Sequence, residues 1–155
     1  MRKVSLIKLF VVLGFTAVLS GCIFGDEDTG TAGVNVAGTW HATVQVENCS
    51  PADVCDDAGF EPGTTVNAVM VLRQDGTKVE GTYTYSGAGL DADVEGTVTE
   101  SHLVLNGEVQ NPLGRASVDL VGFASDSVID AAVSHNVRLF DGRSGTVSGS
   151  GDFSK

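Results

Sequence analysis

Leu90-Asp91-Ala92-Asp93-Val94-Glu95-Gly96-Thr97-Val98-Thr99 alternates without a break, with Leu90, Ala92, Val94, Gly96 and Val98 set against Asp91, Asp93, Glu95, Thr97 and Thr99. Successive side chains of a strand point to opposite faces, so a period of two describes a strand with one dry face and one wet face. A parallel strand covered by helices on both sides would be apolar throughout. This one is not, and it predicts antiparallel hairpins around a single core.

The same alternation extends in both directions. Residues 38–46 form a first strand in which Trp40, Ala42, Val44 and Val46 share a face, and residues 66–73 form a second. Asp75-Gly76 then predicts a tight hairpin, because this pair adopts the positive φ angles that short hairpin turns need. In the third strand Val79, Gly81, Tyr83 and Tyr85 lie on one side, with Lys78, Glu80, Thr82 and Thr84 on the other. Strands over 102–109, 115–124, 128–139 and 145–153, separated by turn signals such as Asn111-Pro112 and Asp141-Gly142, bring the count to about eight. No stretch beyond residue 21 has the period of a long amphipathic helix.

Glycine recurs on the apolar faces of these strands: Val79-x-Gly81-x-Tyr83, Val94-x-Gly96-x-Val98, Leu105-x-Gly107-x-Val109, Leu120-x-Gly122 and Val147-x-Gly149. Within a strand, glycine sacrifices packing, so its repetition signals sharp bending or close backbone approach. The expected fold is all-β, an up-and-down meander of about eight antiparallel strands closed into a barrel, with a two-sheet sandwich as the alternative. Ala42, Ala68, Gly81, Ala92, Gly96, Gly107 and Gly149 as inward residues predict a narrow lumen filled by side chains. Gly38-Thr39-Trp40 resembles the entry motif of lipocalins, and its pairing with Gly81-Thr82-Tyr83 resembles avidin-like barrels. That resemblance implies an architecture over residues 38–153 and carries over no ligand.

The start of the chain has a different grammar. Arg2, Lys3 and Lys8 precede an apolar run over 9–19, and the run exits through Leu19-Ser20-Gly21-Cys22. Basic start, apolar core and small-residue exit are the parts of a secretory signal. The exit resembles the lipobox of bacterial lipoproteins, which implies cleavage before Cys22, diacylation of its sulfur and a lipid-anchored N-terminus. An ordinary signal peptide is the alternative, whereas a membrane-spanning helix would require about 20 apolar residues. The expected organisation is a signal peptide at 1–21, a Gly-rich flexible tether at 22–36 and a barrel domain at 37–155. Ile23 in place of the aspartate that the family's sorting rule retains in the inner membrane favours the outer membrane of a Gram-negative host. The expected location is the cell envelope.

With Cys22 assigned to lipid, Cys49 and Cys55 form the remaining pair. An exported chain favours a disulfide between them; a zinc site would need two further ligands that this loop supplies only as carboxylates. No metal or cofactor is expected. Removing a leader with three of the nine basic residues and none of the twenty acidic ones leaves six against twenty, a net charge of −14. Such a surface repels phosphate and excludes nucleic acid as a partner, and it excludes adhesion to anionic lipid through a basic patch.

No nucleophile elbow, phosphate loop or zinc-binding helix is present, and no catalytic residue is assigned. His41 and His102 fall on polar faces, whereas His135 shares a face with Ile129, Ala131, Val133, Val137 and Leu139. Trp40, Tyr83, Tyr85 and His135 are the candidate contacts for a small molecule inside the barrel. The loop over 47–62 is the longest expected connection inside the domain and the candidate recognition surface. There Asp53, Asp56, Asp57 and Glu61 would face a basic protein partner or a cation, with Phe60 as an apolar anchor. These features predict a non-enzymatic, membrane-anchored binding module. A structural envelope lipoprotein without a ligand is the alternative, followed by an exported enzyme.

Overall fold

The computed structural model of the chain describes residues 33–86, 90–111 and 114–155. Eight strands follow one another around a closed antiparallel barrel: β1 (Gly38–Ser50), β2 (Thr65–Asp75), β3 (Lys78–Tyr85), β4 (Leu90–Thr99), β5 (His102–Asn111), β6 (Gly114–Ala124), β7 (Val128–Leu139) and β8 (Ser144–Ser154). Each strand pairs with its sequence neighbours, and β8 returns to β1, with a register shift between Val46 and Asn48. Closure leaves no unpaired sheet edge. The sandwich alternative is therefore excluded.

Alternation sets the faces as expected. In β4 every second residue from Leu90 through Val94, and again Val98, is buried, while the acids between them are exposed. Trp40, Met70, Tyr83, Tyr85, Leu103, Leu105, Leu120, Ile129 and Phe153 are buried almost completely and belong to one continuous core within the lumen.

The repeated glycines have a direct steric cause. A β-carbon added at Gly81 would fall on the Val71 carbonyl oxygen, and one at Gly96 on the Val104 carbonyl oxygen. In each case the backbone of the adjacent strand lies where a side chain would begin. Gly107, Gly122 and Gly149 meet the carbonyls of Asp93, Asp130 and Gln45 in the same way. The strands coil so tightly that only glycine fits the inner side of the bend, which is how eight short strands close.

The two ends differ. At the entry end, Val34 N–H donates to Glu100 O (2.8 Å), and the Gln74 side chain accepts from Val36 N–H (2.7 Å) and donates to Val34 O (3.1 Å). The end of the expected tether is thus docked, with Val36 fully buried. The signal, the lipobox, Cys22 and the rest of the tether lie outside the described residues, as does the Pro112 of one expected turn.

The opposite end carries the connection expected as a loop. There β1 runs on to Ser50, and a short helix, α1 (Ala52–Ala58), turns its Val54 and Cys55 toward the barrel. Cys49 and Cys55 are joined by a disulfide. Gly59, with φ 77°, ends the helix in a left-handed turn in which Gly59 N–H donates to Asp56 O and Phe60 N–H to Cys55 O. These two bonds satisfy carbonyls that the last helical turn leaves open, and the motif ordinarily seats the next residue against the helix's apolar side.

Candidate functional site

That next residue is Phe60, and its position revises the reading of the loop. Phe60 is 1% exposed, so it is not an anchor offered to a partner. Its ring enters the capped end of the lumen, 5.2 Å from the Tyr85 ring and 5.6 Å from the imidazole of His135, centroid to centroid. Apolar burial accounts for the inversion. A phenyl ring gains about 2–3 kcal/mol on leaving water, and the barrel mouth lies directly below.

Beneath Phe60 the interior candidates divide into two places. Tyr83 and Tyr85 project from β3 and His135 from β7, four strands apart in an eight-stranded ring and so on opposite walls. Their rings meet near the axis: His135 lies 5.3 Å from Tyr85 and 6.0 Å from Tyr83, and the two tyrosines are 6.3 Å apart. Trp40 does not join them. It belongs to the entry end, where its indole N–H donates to Val36 O (2.8 Å) and Lys155 Nζ sits 4.6 Å above its ring.

Two polar atoms in the aromatic cluster, Tyr83 Oη and His135 Nε2, are buried and have no hydrogen-bond partner among the described residues. Burial shapes the ionisation of all three side chains. Desolvation holds the Tyr83 phenol far above its ordinary value, with Tyr85 adding to the effect, and pushes Tyr85 up to about 12. It also pulls His135 down to about 4. All three are neutral near pH 7, and the rings form an uncharged aromatic cluster with two unsatisfied polar points.

The acids of the cap also behave differently from expectation. Arg143, on the turn between β7 and β8, reaches Asp53 (3.0 Å), Asp57 (2.6 Å) and Asp141 (2.7 Å). Two of the four acids proposed for a basic partner thus already hold a basic group of this chain. Hydrogen bonds to Asp141, Asp57 and Asp53 raise the Arg143 guanidinium further, and the side-chain bond from Arg143 lowers the Asp141 carboxyl. Asp56 and Glu61 remain exposed.

A shallow groove of about 580 Å³ crosses the outer wall, lined by Glu80, Asp93, Glu95, Glu108 and Asp119 among others. Its acids stand in rows across the strands, with Glu80 opposite Glu95 and Asp93 opposite Glu108. Among the described residues, no group of three or more histidine, cysteine or acidic side chains is placed to hold a metal ion. No helix among them is long and apolar enough to cross a membrane.

Sequence reasoning misses Arg143 altogether, since nothing local to it announces carboxylates 86 and 90 residues away. The inward turn of Phe60 had a signal: an apolar residue directly after a helix-ending glycine. The fold and the site define a small closed meander barrel, capped at one end by a disulfide-held helix over a packed aromatic cluster. Comparison of the chain with family models, curated proteins and solved structures gives no match.

Proposed function

We propose that this protein is a lipid-anchored, non-enzymatic binding module of the cell envelope. The observation that carries the reading is the polarity of the barrel. The chain enters at one end, docked through Val34, Val36 and Gln74, and the cap closes the other. A tether starting from a diacylated Cys22 leads to the entry end, which leaves the cap directed away from the membrane. Outer-membrane placement follows from Ile23 where the host is Gram-negative. The exposed acids Asp56 and Glu61 suit a basic protein partner at that distal surface, and the aromatic slot beneath, where Phe60 sits, suits a small molecule.

The test has two arms. Metabolic palmitate should label the wild type, and Cys22→Ser should abolish the label and shift the protein to the soluble fraction; an unlabelled wild type ends the anchoring proposal. In the second arm, Asp56→Asn combined with Glu61→Gln should lose a partner that wild type recovers from envelope extracts. Equal recovery would leave a structural envelope protein with no partner at the cap.

A further inference from the structure

We infer that the slot filled by Phe60 at the capped end of the lumen is a binding site for a neutral planar aromatic compound bearing a hydroxyl, which pairs with Tyr83 Oη and His135 Nε2. In this inference Phe60 is the chain's own stand-in for the ligand. It rests on the reading of the barrel as a binding module and adds the chemical class of what is bound.

Two orphaned atoms give the slot its polar side. Tyr83 and His135 are 1% and 3% exposed, on opposite walls, with rings 6.0 Å apart, and the tips Tyr83 Oη and His135 Nε2 have no partner among the described residues. Leaving one buried polar group unpaired costs about 1–3 kcal/mol, so two in one aromatic cluster are a cost that packing alone does not explain. A hydroxyl both donates and accepts, and therefore satisfies a phenol and a neutral imidazole whichever proton each presents. A charged ligand does not fit, because desolvation already drives His135 and the tyrosines toward their neutral forms.

Phe60 shows the slot's aromatic side. Its centroid distances of 5.2 Å to Tyr85 and 5.6 Å to His135 fall within the range of stacked and tilted ring pairs, so the slot already accepts a six-membered ring. The means of exchange is built in as well. The disulfide and Arg143 hold α1, but Phe60 lies beyond them, on the 59–63 return between Gly59 (φ 77°) and Gly63 (φ 88°). A β-carbon added at either glycine would meet nothing within 4 Å, so neither end of the return is packed in by side chains. Opening gives up the Phe60 N–H bond to Cys55 O (2.9 Å), while Gly63 N–H to Val46 O (2.7 Å) keeps the far end of the return anchored to β1.

Phenol and toluene, alike in shape and differing in the hydroxyl, test the inference on the full-length protein by calorimetry and by NMR. Wild type should saturate with phenol, show contacts from the phenol ring to Tyr85 and His135, and prefer phenol to toluene by about tenfold or more. Tyr83→Phe should reduce that preference, and Phe60→Ala, by removing the competing ring, should tighten phenol about tenfold or more while keeping the preference. Absence of saturation of wild type at about 10 mM phenol overturns the inference, as does equal affinity for the two compounds. The contacts from phenol to His135 provide a readout even if Tyr83→Phe does not fold. Failure here leaves lipid anchoring and partner capture at the cap intact, since those are measured separately.

Discussion

The imidazole of His135 stacks against the ring of Phe60, with centroids 5.6 Å apart and planes 29° from parallel. The contact joins the cap to the far wall of the barrel and places a titratable group at the bottom of an apolar plug. Because burial lowers the His135 pKa from 6.5 to about 4, the unfolded chain takes up the proton first as the pH falls. Stability should therefore be complete above pH 6.5 and decline through the window down to about pH 4, by about 3 kcal/mol in total. Urea unfolding of wild type and His135→Leu at pH 7 and pH 4.5 isolates this contribution from that of the carboxylates. An identical pH slope in the two proteins would refute it.

Gly96→Ala should destabilise the barrel strongly, because the new methyl group would fall on the Val104 carbonyl oxygen, which belongs to backbone and has no free rotation to yield. Overpacking of this kind costs about 1–3 kcal/mol or more. Thr97→Ala, one residue along the strand and facing outward, should change stability by only about 0.5 kcal/mol. Thermal unfolding of the two variants provides the comparison, and a Gly96→Ala protein as stable as wild type would show that the strand is free to relax.

Strand order and strand faces were legible because burial in a barrel follows local alternation, as in residues 90–99, and the Val-x-Gly repeat carried the steric condition for closure. The cap was not legible in the same way. A helix of seven residues is too short to display a period, and only Pro51 before it and Gly59 after it mark its ends. Phe60 among acids has the composition of a surface anchor, yet the glycine before it turns it inward. The grouping of Tyr83, Tyr85 and His135 followed from their shared dry faces. What set Trp40 apart was its height along the barrel, which depends on register between strands.

Glu95→Lys should stabilise the protein. Glu95 stands directly opposite Glu80 on β3 and Asn106 on β5, on the exposed wall. Like charges in facing positions repel, and an opposite pair contributes about 0.2–1 kcal/mol. The gain should shrink as salt is added, since exposed charges are screened. A melting temperature that does not rise at low ionic strength would show that the facing carboxylates already avoid each other.

Replacing Cys49 and Cys55 together by serine should loosen the cap and spare the barrel. The bridge spans six residues, and closing so short a loop contributes about 2 kcal/mol, most of it by restricting the unfolded segment. The strands do not depend on it, because β1 to β8 are joined to one another all the way round by backbone bonds. Hydrogen exchange should therefore quicken at the amides of Val54, Cys55→Ser and Phe60, which bond to Pro51 O and Cys55 O, while Val98 and Leu120 keep their protection. The near-ultraviolet signal of Tyr85 should weaken in parallel as Phe60 leaves its ring. Uniform loss of protection across all eight strands would instead mean that the cap and the barrel fold as one cooperative unit, and that the disulfide stabilises the whole molecule.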